Sequence, residues 1–152
     1  MTDARFEDGA ESPLRLITRD AAGLEVISAL LQDAVFPITE MQYAPGRRRF
    51  ALMVNRLRRE MASGPVERVQ SLLVFDEVLS VRSQGIDRGD RDTVLSLLAV
   101  RFDGTEDGAG EVVLTLAGDG AIALSVDALD ATLRDVTRPY LAPSGRVPEH
   151  GV

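Results

Sequence analysis

The sequence contains no cysteine, no tryptophan and no lysine, and a single histidine. Without cysteine there is no disulfide framework and no thiolate nucleophile, and nothing points to an oxidising compartment. The one imidazole, His150, stands third from the end, so a catalytic triad or dyad and a Cys/His zinc site have no residues to build on in the body of the chain. No apolar run approaches the roughly 20 residues that a membrane helix requires. The acidic, polar start from Met1 to Glu11 lacks the apolar stretch of a secretory signal. A cytoplasmic protein with no membrane partner is expected.

Charge is also one-sided. The 152 residues carry a net charge of -7, which repels nucleic acid and anionic lipid surfaces. Between Met41 and Arg68, however, seven arginines (47, 48, 49, 56, 58, 59 and 68) face only Glu60 and Glu67, a local balance of +5 that leaves -12 on the rest. A basic strip therefore sits on an acidic body. All 17 cationic side chains are arginine, a bias spread along the whole chain and so no mark of one site.

What is present is enough for one domain, since a chain of this length buries about two-thirds of its unfolded surface. Three runs rich in Val, Leu and Phe, at 68–75, 78–84 and 94–102, are each bounded by turn formers, and consecutive runs of this kind predict an antiparallel meander. Ahead of them, Leu14 to Thr18 reads as a strand. Asp20 reads as the N-cap of a helix to about Val35, with Leu24, Ile27, Leu31 and Ala34 on one face. Gly23 weakens its first turn and Pro37 closes it. Glu40 to Tyr43 and Arg49 to Leu57 form a hairpin across Ala44-Pro45-Gly46, with Met41, Tyr43, Phe50, Leu52 and Val54 alternating inward. A loop is expected at 61–66.

After the three runs, Asp103 to Gly110 reads as a turn. Glu111 to Ala117 and Ala121 to Val126 form a second hairpin across Gly118-Asp119-Gly120. Asp127 is expected to cap a final helix with Leu129, Leu133 and Val136 as its buried stripe, Asp130 pairing with Arg134, and Pro139 as its end. Residues 1–12 read as a disordered lead-in, 13–140 as a single domain and 141–152 as a flexible tail anchored at its start by Tyr140 and Leu141.

The predicted fold class is thus α+β: an antiparallel β-meander in a strongly bent sheet or partial barrel, with one N-terminal and one C-terminal helix. The architecture resembles the pleckstrin-homology barrel at the level of fold, which carries no function. In the run from Val94 to Phe102 both alternating faces are apolar, with Val94, Leu98, Val100 and Phe102 on one and Leu95, Leu97 and Ala99 on the other. That strand needs cover on both sides, by closure of the sheet or by a homodimer.

Candidate sites are few. Asp87, Asp90 and Asp92 offer hard oxygen donors, but their spacing is not that of a calcium loop and the interleaved Arg88 and Arg91 compete for them, so a self-paired turn is expected. The arginine hairpin from Arg47 to Arg59 offers Arg48, Arg49 and Arg56 as anion or partner contacts. Alternation sends Arg47 and Arg49 one way and Arg48 the other. The aromatic platform of single-strand nucleic-acid binding is missing there, because Phe50 belongs to the core. Arg82 and Gln84, at the end of a central strand, share a face where a polar pocket for an anion or small molecule could form. No metal or cofactor is implied.

Several stretches, among them Ile27-Ser28-Ala29, Arg48-Arg49-Phe50, Arg68-Val69-Gln70-Ser71-Leu72-Leu73, Val81-Arg82-Ser83-Gln84-Gly85-Ile86-Asp87 and Leu133-Arg134-Asp135-Val136-Thr137-Arg138-Pro139-Tyr140, together resemble a small bacterial family, the domain of unknown function 2948. The resemblance runs from about Leu14 to Pro143 and implies no assigned activity, cofactor or catalytic residue. The favoured reading is a non-enzymatic interaction or accessory module that presents its arginine hairpin or second apolar face to a protein partner, a copy of itself included. An anion or small-molecule site at Arg82 and Gln84 is the alternative, and weak nucleic-acid binding through the arginine hairpin stands third.

Overall fold

The structure is a computed structural model that describes residues 13–58, 67–87, 89–138 and 140–141. The expected lead-in at 1–12, the loop at 61–66 and the tail beyond 141 lie outside the described residues, as do Arg59, Pro139 and His150.

Strand β1 (Arg15–Thr18) leads into helix α1 (Ala21–Leu31). Asp20 is its N-cap, with Oδ1 accepting from the Gly23 amide at 2.7 Å, which satisfies one of the free first-turn donors. Gly23 has a packing reason to be there: a Cβ at this position would lie 1.9 Å from Thr18 Oγ1. Leu24, Ile27 and Leu31 form the buried stripe. The helix ends earlier than its periodicity predicts, because Asp33 turns left-handed at φ 70°. Ala34 is buried beyond the helix, and Pro37 closes strand β2 (Val35–Pro37) instead of the helix.

A single turn of 3-10 helix, Ile38–Glu40, leads to β3 (Met41–Ala44), and a second, Pro45–Arg47, leads to β4 (Arg49–Leu57). This is the expected hairpin, with Tyr43 opposite Phe50 and Met41 opposite Leu52. There follow β5 (Glu67–Phe75), β6 (Val78–Gln84), β7 (Val94–Gly104), β8 (Gly110–Leu116), β9 (Ala121–Val126), β10 (Ala131–Asp135) and β11 (Tyr140–Leu141).

All pairings are antiparallel, in the order β1-β10-β5-β4-β2-β7-β8-β9-β6, with β3 continuing beside β4 and β11 beside β5. The ends, β1 and β6, do not pair with each other, so the sheet is not closed. One apolar core nevertheless joins residues from both halves of the sheet to the stripe of α1.

Two expectations are overturned. The runs that became β5, β6 and β7 are strands, but no two of them are neighbours: β5 lies between β4 and β10, β6 pairs β9, and β7 lies between β2 and β8. They are not a meander. The Asp76-Glu77 step carries the chain from one half of the sheet to the other. Phe75 faces Ala131 on β10, and Val78, three residues on, faces Val126 on β9. Two segments, β5–β6 and β9–β10, thus run side by side through the same corner.

The expected C-terminal helix is strand β10, and α1 is the one α-helix among the described residues. Leu129, Ala131 and Leu133 are buried while Thr132 and Arg134 are not, an alternation of period two that pairing with both β1 and β5 satisfies. Over so short a run the helical and strand readings share the same leucines, and the ladders on either side decide between them. Asp127 caps no helix. With the helix goes the element on which the pleckstrin-homology analogy leaned.

The two apolar faces of β7 are reconciled by a bulge. Leu97 faces Leu116 but Ala99 faces Thr115, so one residue of β7 is unmatched and the alternation resets. Leu97 and Val100 are both buried, Leu95 and Leu98 are half-buried, and Val94 and Ala99 are exposed. Helix α1 packs on this strand, and the Val100 amide donates to Ser28 Oγ at 2.9 Å.

The β8–β9 turn has Gly118 and Asp119 at φ 82° and 69°; with Thr115 opposite Ala121 and the Leu116 amide donating to the Gly120 carbonyl at 2.8 Å, the loop is the three residues 117–119, a hairpin that closes with a left-handed residue. In the β7–β8 turn the Thr105 hydroxyl donates to Asp107, and the Ala109 amide adds a second bond at 3.2 Å. These bonds, the hydroxyl's first, hold the Asp107 pKa below its ordinary value. A carboxylate depressed in the folded state stabilises the fold above its unfolded pKa and loses that contribution as pH falls through the folded pKa. In a carboxyl-carbon NMR titration, Thr105→Val is expected to move Asp107 back towards the ordinary aspartate range; an unchanged midpoint would remove the hydroxyl as the cause.

Candidate functional site

Among the described residues strand β3 pairs only β4, and β6 pairs only β9, so each leaves one side unpaired. They are drawn together at one point, where the Tyr43 hydroxyl donates to the Val78 carbonyl at 3.0 Å and the Val78 amide donates to the Arg48 carbonyl at 2.9 Å. Beyond it the two edges border a pocket of about 300 Å³, at the small end of the ~300–1,000 Å³ range of ligand sites.

The pocket floor is apolar, made by Ile38, Met41, Phe50, Val81 and Ile122. Phe50 and Ile122 are core residues at 2% and 1% exposure. Thr39, Gln42, Tyr43, Ser83 and Arg91 form the polar rim. Arg91 is exposed and has no hydrogen-bond or ion-pair partner among the described residues. Its loop neighbours are engaged locally: Asp87 Oδ1 accepts from the Gly89 amide and Asp90 Oδ1 from the Asp92 amide, each at 3.0 Å. Backbone amides, and not the interleaved arginines of the expected self-paired turn, thus engage these two carboxylates; Arg91 lies at the pocket, and Arg88 lies outside the described residues. The Ile38 amide donates to the Thr93 carbonyl at 2.9 Å, tying the end of this loop to the β2–β3 turn.

The residues singled out from sequence lie elsewhere. Arg82 and Gln84 are exposed on β6. The side chains that line the pocket are those of Val81 and Ser83, which alternation places on the opposite face from Arg82 and Gln84. Arg82 instead bonds Glu111 of β8. Arg48 pairs with Asp127 at 2.8 Å and Arg49 with Asp76 at 2.8 Å. Both arginines are about half exposed and their partners remain partly open to solvent, and such pairs contribute ~0–1 kcal/mol. Arg47 is exposed in its 3-10 turn. Arg58 pairs with Glu67 at 2.8 Å, and Arg68 donates to the Asn55 carbonyl at 3.2 Å. The strip thus spreads over both ends of β4 and does not converge on one point.

Arg56 departs furthest from its surface reading. Its side chain is 0% exposed and meets Asp135, at 4%, through Nη2 at 2.9 and 3.1 Å to the two carboxylate oxygens. Ser71 Oγ joins them, accepting from Arg56 Nε at 2.9 Å and donating to Asp135 Oδ1 at 2.7 Å. The Leu14 amide donates to Asp135 Oδ2 at 2.9 Å. One buried ion pair therefore ties β4, β5, β10 and the entry to β1 together. It lies at the far end of β4 from Phe50 and the pocket.

Sequence reasoning missed Ser83, Arg91 and Asp135. The first was legible in principle: once Val81 is assigned inward, alternation takes Ser83 with it. Arg91 was hidden by its acidic neighbours, and Asp135 by the helix assigned to its segment.

Among the described residues no group of three or more acidic or histidine side chains is placed to hold a metal ion, and no helix is long and apolar enough to cross a membrane. Among the described residues the architecture is that of a mostly antiparallel open sheet with one α-helix and a small amphipathic pocket between two unpaired strand edges. The chain belongs to the family described as protein of unknown function (DUF2948), whose profile matches residues 14–150. No curated protein and no solved structure matches it.

Proposed function

We propose that the protein is a non-enzymatic interaction module that captures an extended segment of a partner protein along the free edge of β6, with the adjoining pocket receiving one of its side chains. The observation that carries this reading is the juxtaposition at β6: among the described residues the strand beyond Val78 is paired on one side only, directly beside an apolar-floored pocket lined by Val81 and Ser83. An unpaired strand edge presents a row of backbone donors and acceptors that another strand can complete. In recognition by strand addition the main chain supplies affinity and pockets for alternate side chains supply specificity. The β6 sequence, Val-Leu-Ser-Val-Arg-Ser-Gln, carries no proline and one charge, which is bonded to Glu111, and leaves Leu79 46% exposed. It is poorly protected against pairing.

The test is selection of random heptapeptides displayed on phage, in one library fused at both ends and in another with free C-termini, against the wild-type chain and Ser83→Trp, whose indole would fill the pocket from the exposed rim. Enrichment of β-prone peptides by the wild type, lost in a Ser83→Trp variant of unchanged circular dichroism, is the expected result. No enrichment in either library, or enrichment that survives filling of the pocket, would sink the proposal. A second copy of the chain would engage the same edge, and light scattering after size exclusion separates self-association from capture of another protein.

A further inference from the structure

The β6 edge has an end as well as a side. Just past Gln84 the chain enters the loop that carries Arg91, and the Ile38–Thr93 bond fastens that loop to the β2–β3 turn. A strand lying along β6 and running towards this end meets the loop as a wall, with Arg91 at the wall and the apolar floor of Ile38, Phe50 and Ile122 beneath.

Among the described residues Arg91 is the only charged side chain lining the pocket, and no described carboxylate neutralises it. An exposed guanidinium beside an apolar cavity selects for a ligand that carries an anion and an apolar group close together, because the planar fork binds carboxylates through two parallel hydrogen bonds.

An extended chain cannot easily supply both from its interior. Adjacent side chains point to opposite faces, so an acidic residue next to an apolar one sends one of the two away from the pocket. Residues two apart share a face but lie roughly 7 Å from each other. At a C-terminus the constraint disappears, since the last residue bears its carboxylate and its side chain on the same Cα. Building on the strand-capture reading above, we infer that the segment recognised is the free C-terminus of a partner protein, its terminal carboxylate on Arg91 and its last apolar side chain in the pocket.

The experiment takes the most enriched heptapeptides, made as free acid, as C-terminal amide and as an amide ending in glutamate, and titrates each into the isotope-labelled full chain by NMR. The free acid is expected to bind about tenfold or more tightly than its amide, the scale of one lost hydrogen-bonded charge, with shifts at β6 amides and Arg91. In Arg91→Ala the acid and the amide should bind alike while the β6 shifts persist. If acid and amide bind the wild type equally, the C-terminal assignment is overturned and strand capture stands. Equal binding of the glutamate amide and the free acid overturns it in favour of an internal acidic side chain. Failure of both libraries to enrich any peptide overturns the strand-capture reading itself.

Discussion

Replacing Arg56 with alanine is expected to cost about 3–5 kcal/mol in chemical denaturation, because it strands a buried carboxylate without its partner. The Asp135 side chain is 4% exposed and would keep only the Ser71 hydroxyl and the Leu14 amide as described donors. Out of a total stability of ~5–15 kcal/mol for a domain, that loss brings the variant close to unfolding. Asp135→Asn on the wild-type background leaves the arginine buried and should be comparably destabilising. The double variant Arg56→Met with Asp135→Asn removes both charges while the amide oxygen can still serve Leu14. It should recover most of the loss, since a buried ion pair replaced by groups of similar volume is often near neutral. A cost for Arg56→Ala below about 1 kcal/mol would mean that Asp135 reaches water in the folded state. This pair is then a specifier of strand arrangement in the sense that its removal by halves is costly and its removal as a whole is not.

The second large effect concerns β7. Leu97 is fully buried in the shared core, whereas Val94, three residues earlier on the same strand, is 63% exposed. Leu97→Glu places an unpaired carboxylate among apolar side chains, at a cost of several kcal/mol for the charge alone after relaxation. The lost burial of a leucine adds about 1.5–3 kcal/mol. The variant is expected to show no cooperative unfolding transition. Val94→Glu is expected to change stability by about 0.5 kcal/mol or less, as a surface substitution does, and to leave the oligomeric state unchanged. A folded monomeric Leu97→Glu from a dimeric wild type would instead show that Leu97 belongs to an interface between copies. A strongly destabilised Val94→Glu would show that the outer face is covered in solution by something the single chain does not contain.

These two sites also mark how far the sequence could be read. The alternation of Phe50, Leu52 and Val54 could be assigned inward from residue order alone, because period-two burial is a local property of a strand. The same holds for the Asp20 cap, whose donor and acceptor lie three residues apart, and for the Gly118-Asp119 turn. Arg56 breaks that logic. It sits two residues after Val54 on the same inward face, and a charged residue there reads as surface until a carboxylate from Asp135, far along the chain, is brought beside it.

The pocket fails for a related reason. Arg91 stands among Asp87, Asp90 and Asp92 in sequence, which suggests neutralisation, but two of those carboxylates turn to backbone amides of their own loop. Only the folded chain shows that the arginine is left for the pocket.

By itself, then, the sequence determined most of the strand-forming runs, the first helix and its cap, most turn positions, and a chain without the cysteines for thiol or disulfide chemistry and with a single histidine. Each of these depends on neighbours within a few residues. The tertiary structure alone decided which strands pair, that the strands on either side of Asp76-Glu77 are not partners, that Ala131–Asp135 is a strand, and that β3 and β6 border a pocket. Those outcomes depend on hydrogen-bond partners and core contacts far apart in the chain: the β10 ladder needs β1 and β5 on either side, and the β7 bulge is fixed by the β8 register. Local pattern sets which face of a segment is apolar; only the packed chain sets what that face meets.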